Sequence, residues 1–152
     1  MKHNTHYNHT GDSGISGKHF SRLKRDNEFI EAYRQVLDLM LERGVASPRK
    51  AAIEFTVFNS RPHYHVSVER ALVVVGRILS SGRNIVKPSL QALMWEEIAS
   101  KVKQLVDKKG VSLSCAVQFV IDNCRASRFF VSPQYAYHHI RHLESNAKKQ
   151  LQ

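Results

Sequence analysis

The chain reads twice through one plan, and this self-similarity limits its folds more than any single motif. Sliding the sequence by 66 residues sets Phe29 on Trp95, Ala32 on Ile98, Val36 on Val102, Leu39 on Leu105, Met40 on Val106 and Gly44-Val45 on Gly110-Val111. An offset of 64 matches Ile53 with Val117, Phe55 with Phe119, Asn59 with Asn123 and Arg61 with Arg125. An offset of 65 matches Val66-Ser67 with Val131-Ser132, Ala71 with Ala136 and Val75 with Ile140. The drift falls in connecting segments, where short insertions and deletions are tolerated. Ordered matches of this kind predict one supersecondary unit used twice.

Within each copy the periodicity is helical. Phe29, Ala32, Val36, Leu39 and Met40 follow the 3/4 spacing of an amphipathic helix, which Arg43-Gly44 ends with a glycine cap. Ser47-Pro48 reads as an N-cap with proline at the first helical position, opening a helix that presents Ala51, Ala52, Phe55 and Phe58. After a loop from Asn59 to His65, Ser67 caps a third helix with Val68, Ala71, Leu72, Val75 and Ile78 inward, closed by Ser81-Gly82. The expectation is an all-α fold with helices over 27–43, 48–58, 67–80, 90–109, 113–123 and 133–147. These make two tandem, sequence-related three-helix units, 27–82 and 90–147, joined by a linker, 83–89, and followed by a short tail, 148–152. Residues 1–26 are polar, basic and His-rich, and are read as a disordered arm. The recurrence of His3, His6 and His9 is read as a soluble tail rather than a metal tract, since a mobile arm holds no coordination geometry by itself.

Charge narrows the partners. With 23 Lys and Arg against 13 Asp and Glu, the net charge is +10, an excess that favours polyanions. The surplus sits in the arm (+3 over 1–26), the linker (+2 over 81–91) and the second half (+3 over 92–143). No apolar run approaches the ~18 residues of a spanning helix, and the first twenty residues hold no apolar signal-peptide segment. Cys115 and Cys124 alone rule out a disulfide scaffold. The expected location is cytoplasmic, nucleoid-associated if the partner is DNA.

The segments before the last helix of each unit mix basic and aromatic residues: Arg61-Pro-His-Tyr-His-Val-Ser67 and Arg125-Ala-Ser-Arg-Phe-Phe-Val-Ser132. A three-helix unit whose last helix begins with a free, positively polarised N-terminus resembles the helix-turn-helix class of DNA-binding domains. The class implies phosphate contacts at that N-terminus and base-edge contacts from the outward face of the last helix. The nucleic-acid-binding candidates are Arg61, Tyr64, Arg70, Arg77, Arg83, Lys87, Arg125, Arg128, Gln134, Tyr135, His138, Arg141 and His142. Two features depart from the class: a connection of seven or eight residues instead of a tight turn, and Glu69 where phosphate would approach.

Other chemistry finds little support. Cys115, Cys124, His138 and His142 make a poor zinc set, because eight residues separate the cysteines and the first copy offers no equivalent ligands. No GxSxG, Walker loop, GxGxxG or HExxH is present, and Glu96-Glu97 suit a helix first turn better than acid/base work. No metal, cofactor or enzymatic activity is expected. The sequence points to a small DNA-binding protein, a transcriptional regulator or an accessory factor of a mobile element or phage. The alternative is a helical adaptor or assembly protein that docks an acidic partner through a patch of Val73, Val74, Leu93 and Met94. RNA binding is a third reading.

Overall fold

The computed structural model describes residues 17–84 and 86–150; the His3, His6 and His9 tract and the rest of 1–16 lie outside them. The described chain is all-α, with helices α1 (Gly17–Glu42), α2 (Pro48–Asn59), α3 (Val68–Ser81), α4 (Leu90–Lys109), α5 (Leu113–Asn123) and α6 (Pro133–Gln150). Local chemistry sets most ends. The hydroxyls of Ser67, Ser89, Ser112 and Ser132 accept the N–H three residues on, from Arg70, Ala92, Cys115 and Tyr135, each satisfying a donor that the helix leaves free. Gly44 ends α1 at φ +64°, and the N–H of Val45 reaches back to the Met40 carbonyl at 3.0 Å, a closure that needs a left-handed residue.

Three boundaries differ from the sequence reading. Ser47 adopts φ 48° and makes no side-chain cap; Pro48 still opens α2, and the Ser47 carbonyl takes the Ala51 N–H. Helix α6 runs to Gln150, into the expected tail. Helix α1 begins at Gly17, so 17–26 is helix and not arm. This extension is held by polar contacts more than a hundred residues away, where Arg25 and Asp26 meet Tyr135 of α6, and local periodicity cannot reveal such contacts.

The largest departure is in how the helices pair. One core gathers Phe29 and Tyr33 of α1, Ala52, Ile53 and Val57 of α2, and Ala136 and Ile140 of α6. The other gathers Ala71, Val74 and Val75 of α3, Met94, Trp95, Ile98, Ala99 and Val102 of α4, and Ala116, Val117, Val120 and Ile121 of α5. Each core therefore combines the first two helices of one half with the last helix of the other, and 27–82 and 90–147 are not separately packed units. Each fully buried Val or Ile contributes about 1.5–3 kcal/mol relative to exposure, so the third helices tie the halves together strongly.

Two loops make the exchange. Residues 60–67 carry the chain from the first core to the second, and 124–132 carry it back. They cross antiparallel: the Ala126 N–H donates to the Pro62 carbonyl at 2.7 Å, beside an isolated bridge between His63 and Arg125. Tyr64 drops into the second core, while Phe129 and Val131 drop into the first. Phe129 also donates its N–H to the Val57 carbonyl at 3.0 Å and meets Phe29 edge-on, with ring centroids 5.1 Å apart.

Matched positions of the two halves share environments: Phe29 and Trp95 are buried, as are Ala71 and Ala136, and Val75 and Ile140. Phe55 and Phe119 are both exposed, and Phe58 is exposed as well, against the expectation that Phe55 and Phe58 face inward. Helix α2 instead turns its Ala52–Ile53–Thr56–Val57 side to the core. Ala52 admits close approach of a neighbouring helix, and Phe129 from the returning loop supplies the aromatic bulk there.

Candidate nucleic-acid interface

Helix α6 rests on the first core through Ala136 and Ile140. Helical spacing then turns Gln134, Tyr137, His138, Arg141, His142 and Ser145 outward, and all are exposed. No carboxylate stands in this arc. The one acid of the helix, Glu144, lies toward α2, where Arg49 donates to its Oε2 at 2.9 Å. The Arg141 guanidinium sits 6.0 Å from the Tyr137 ring centroid, and His138 meets the same ring edge-on. On the second core, α3 turns Glu69, Arg70, Val73 and Arg77 outward. Arg83 and Lys87 in the connection to α4 are exposed as well.

The crossing loops hold a denser set of polar contacts. Lys101 of α4 donates from Nζ to the Tyr64 hydroxyl at 2.8 Å and to the Arg125 carbonyl at 2.7 Å, with Nζ 5.0 Å from the Tyr64 ring centroid. Burial pushes the Tyr64 hydroxyl well above the usual phenol range, and the neighbouring Glu97 carboxylate adds to this. Tyr64 is thus a neutral core phenol, 4% exposed, and not a contact residue. Glu97 accepts the Ser127 N–H at 3.1 Å, fixing the returning loop to α4.

Helix α1 clamps the other side. Glu28 accepts the His63 N–H at 2.9 Å through Oε1, and its Oε2 lies 3.1 Å from His63 Nδ1 and 2.9 Å from His65 Nε2. Arg125 approaches the same carboxylate at 3.8 Å. Burial works to raise the Glu28 carboxyl, but the hydrogen bonds from His63 and the proximity of both imidazoles outweigh it, leaving its pKa below the ordinary 4.5. Burial pulls the His65 imidazole below its usual 6.5, although Glu28 pulls the other way. Two residues earlier, buried Asp26 accepts from Arg25 at 3.2 Å and from the Tyr135 hydroxyl at 3.3 Å, with His139 Nε2 also at 3.3 Å. Arg25 donates to the Tyr135 hydroxyl at 2.9 Å as well, so Tyr135 spends its polar end locking α6 to α1.

No known family, characterised protein or solved structure matches the chain. Any functional reading therefore stands on its own residues.

The thirteen sequence candidates divide. Gln134, His138, Arg141 and His142 share the α6 face, and Arg70 and Arg77 share the α3 face. Arg61 and Arg125 are exposed at the crossing. Tyr64 is buried, whereas Tyr135 is 38% exposed with its hydroxyl bonded to Arg25 and Asp26. Arg128 is half-buried: its Nε donates to the Phe129 carbonyl at 2.9 Å and its Nη2 to the Val131 carbonyl at 3.1 Å. The adaptor patch loses two members, because Val74 and Met94 are buried while Val73 and Leu93 remain exposed. Among the described residues no three His, Cys, Asp or Glu side chains converge as a metal set, and no helix is long and apolar enough to cross a membrane. Sequence reading missed Arg25, Asp26, Glu28, His65 and Lys101. Each is an ordinary surface-type residue until the chain crossing brings its partner to it.

Proposed function

We propose that the protein is a non-enzymatic nucleic-acid-binding protein that meets duplex DNA with the outer faces of α6 and α3. The observation that carries this reading is the outer arc of α6: donor-rich Gln134, His138, Arg141 and His142 with no carboxylate among them, on a chain of net charge +10. Arginine and glutamine reach guanine and adenine edges in the major groove, and arginine and histidine also contact phosphate. The capped start of α6 adds the positive end of the helix dipole. The helix exchange supports the same reading, because each three-helix core presents one last helix and the crossing loops link the two faces. The α3 face differs in sequence from the α6 face, so the two half-sites differ and the target is not palindromic. A transcriptional regulator or a mobile-element accessory factor fits this description.

The test is fluorescence anisotropy with random duplex DNA over a range of salt. Wild-type affinity weakens log-linearly with salt, as counterion release requires. Arg141→Ala lowers affinity on every sequence and reduces the salt slope by about one. Wild-type binding weaker than about 10⁻⁴ M at ~100 mM salt refutes the reading.

A further inference from the structure

The outer side of α2 carries an aromatic surface built from residues other than those of the outer α6 arc. Phe55 and Phe58 are 47% and 49% exposed, three residues apart and therefore neighbours on one helix flank. Single exposed apolar residues are ordinary on protein surfaces, but a contiguous pair beside a charge is a candidate contact. The charge here is Arg128, whose guanidinium carbon lies 4.6 Å from the Phe58 ring centroid and 5.8 Å from that of Phe130. Burial lowers the pKa of this cation, and among the described residues no carboxylate forms an ion pair with it. Its hydrogen bonds go to two backbone carbonyls, which fix its position without neutralising it. Exposed Arg61 follows just beyond the end of α2, and Glu54 is the one acid on this flank.

The matched helix makes the comparison informative. Phe119 of α5 is 50% exposed, yet Asp122 stands where α2 has Phe58, bonded to Gln118. Of the two matched helices, α2 alone carries the second exposed ring, and the loop residue Arg128 lies over that ring.

We propose that Phe55, Phe58 and Arg128 form a stacking platform for unpaired bases of single-stranded nucleic acid, with Arg61 supplying a nearby charge for the phosphates. The proposal rests on the reading of the chain as a nucleic-acid binder but uses other residues. Every base has a π-face, so such a platform is sequence-tolerant, and removal of one stacking ring weakens binding by about 5- to 100-fold. The Arg128 guanidinium holds the Phe58 ring in place and adds positive charge beside the stacked base.

The experiment uses the full chain with short oligothymidine and oligouridine strands carrying one 2-aminopurine, alongside a duplex of equal length. Wild type binds the single strands and changes the 2-aminopurine fluorescence. Phe58→Ala and Phe55→Ala lose about 5- to 100-fold in single-strand affinity and lose the fluorescence change, while duplex affinity stays unchanged. Phe58→Tyr restores both. Unchanged single-strand affinity and fluorescence in Phe58→Ala overturn the platform. So does loss of self-association in sedimentation without loss of strand binding, which would make this flank a contact between copies. Duplex binding with no effect of the α2 variants defeats the platform and leaves the α6 reading standing. Single-strand binding that depends on Phe58 without duplex binding does the reverse.

Discussion

Replacing Phe129 by alanine tests the helix exchange directly. Phe129 belongs by sequence to the second half, between α5 and α6, yet it is fully buried in the core of α1, α2 and α6. Its ring meets Phe29 edge-on at 5.1 Å. Burying about 150 Å² of aromatic surface at about 25 cal/mol/Å² stabilises by roughly 4 kcal/mol, and measured Phe→Ala changes in cores fall at about 3–5 kcal/mol. Against a usual domain stability of about 5–15 kcal/mol, that is a large fraction. Phe129→Leu, which keeps more of the volume, should cost under about 1.5 kcal/mol and remain folded for comparison. Urea unfolding measures the total, and native-state hydrogen exchange locates it. Protection should fall first in α1, α2 and α6, although α1 and α2 lie seventy residues or more from the substitution. Both variants should unfold in one transition, since neither half closes a core alone. Protection lost first in α4 and α5, or a cost below about 1 kcal/mol for Phe129→Ala, would refute the placement of Phe129 in the core of α1, α2 and α6.

Two further perturbations probe the crossing. Lys101→Met removes the donor to the Tyr64 hydroxyl and the Arg125 carbonyl; losing hydrogen bonds from a charged donor costs about 1.5–3 kcal/mol, read as a lowered urea midpoint, and an unchanged midpoint would refute the role given to Lys101. Acidification should destabilise the protein in two windows. The folded-state pKa of His65 lies below its ordinary 6.5, so its contribution is complete above that value and is lost as pH falls below it. Glu28 is likewise depressed below 4.5 and loses its contribution lower still. His65→Gln should flatten the first window and leave the part of the second that His63 sustains, and a urea midpoint that rises from pH 7 to pH 5 in wild type would contradict the sign given to His65.

The fold class was legible because helix formation is local: apolar spacing, serine caps and glycine stops act within a few residues, and α2 to α5 fall within a residue or so of their expected bounds. The start of α1 was not legible, since Asp26 acquires its partner only when α6 arrives. The α6 face was readable, because helical spacing from Ala136 and Ile140 decides which side points outward. The Phe58–Arg128 contact was not, because it joins residues of different halves.

By itself the sequence determined six amphipathic helices, their order and a strongly basic surface. It also marked the loops before α3 and α6 as unusual. Only the tertiary structure decided which core each third helix joins. The inner faces of α3 and α6 are both small and aliphatic, Ala71 with Val75 and Ala136 with Ile140, so hydrophobic burial alone does not choose between the cores. The choice lies in the crossing: antiparallel pairing at Pro62 and Ala126, Tyr64 and Phe129 in opposite cores, and Glu28 and Glu97 each holding a loop N–H. Those contacts join residues about 30 to 100 positions apart, a range over which patterning along the chain carries no information on who meets whom.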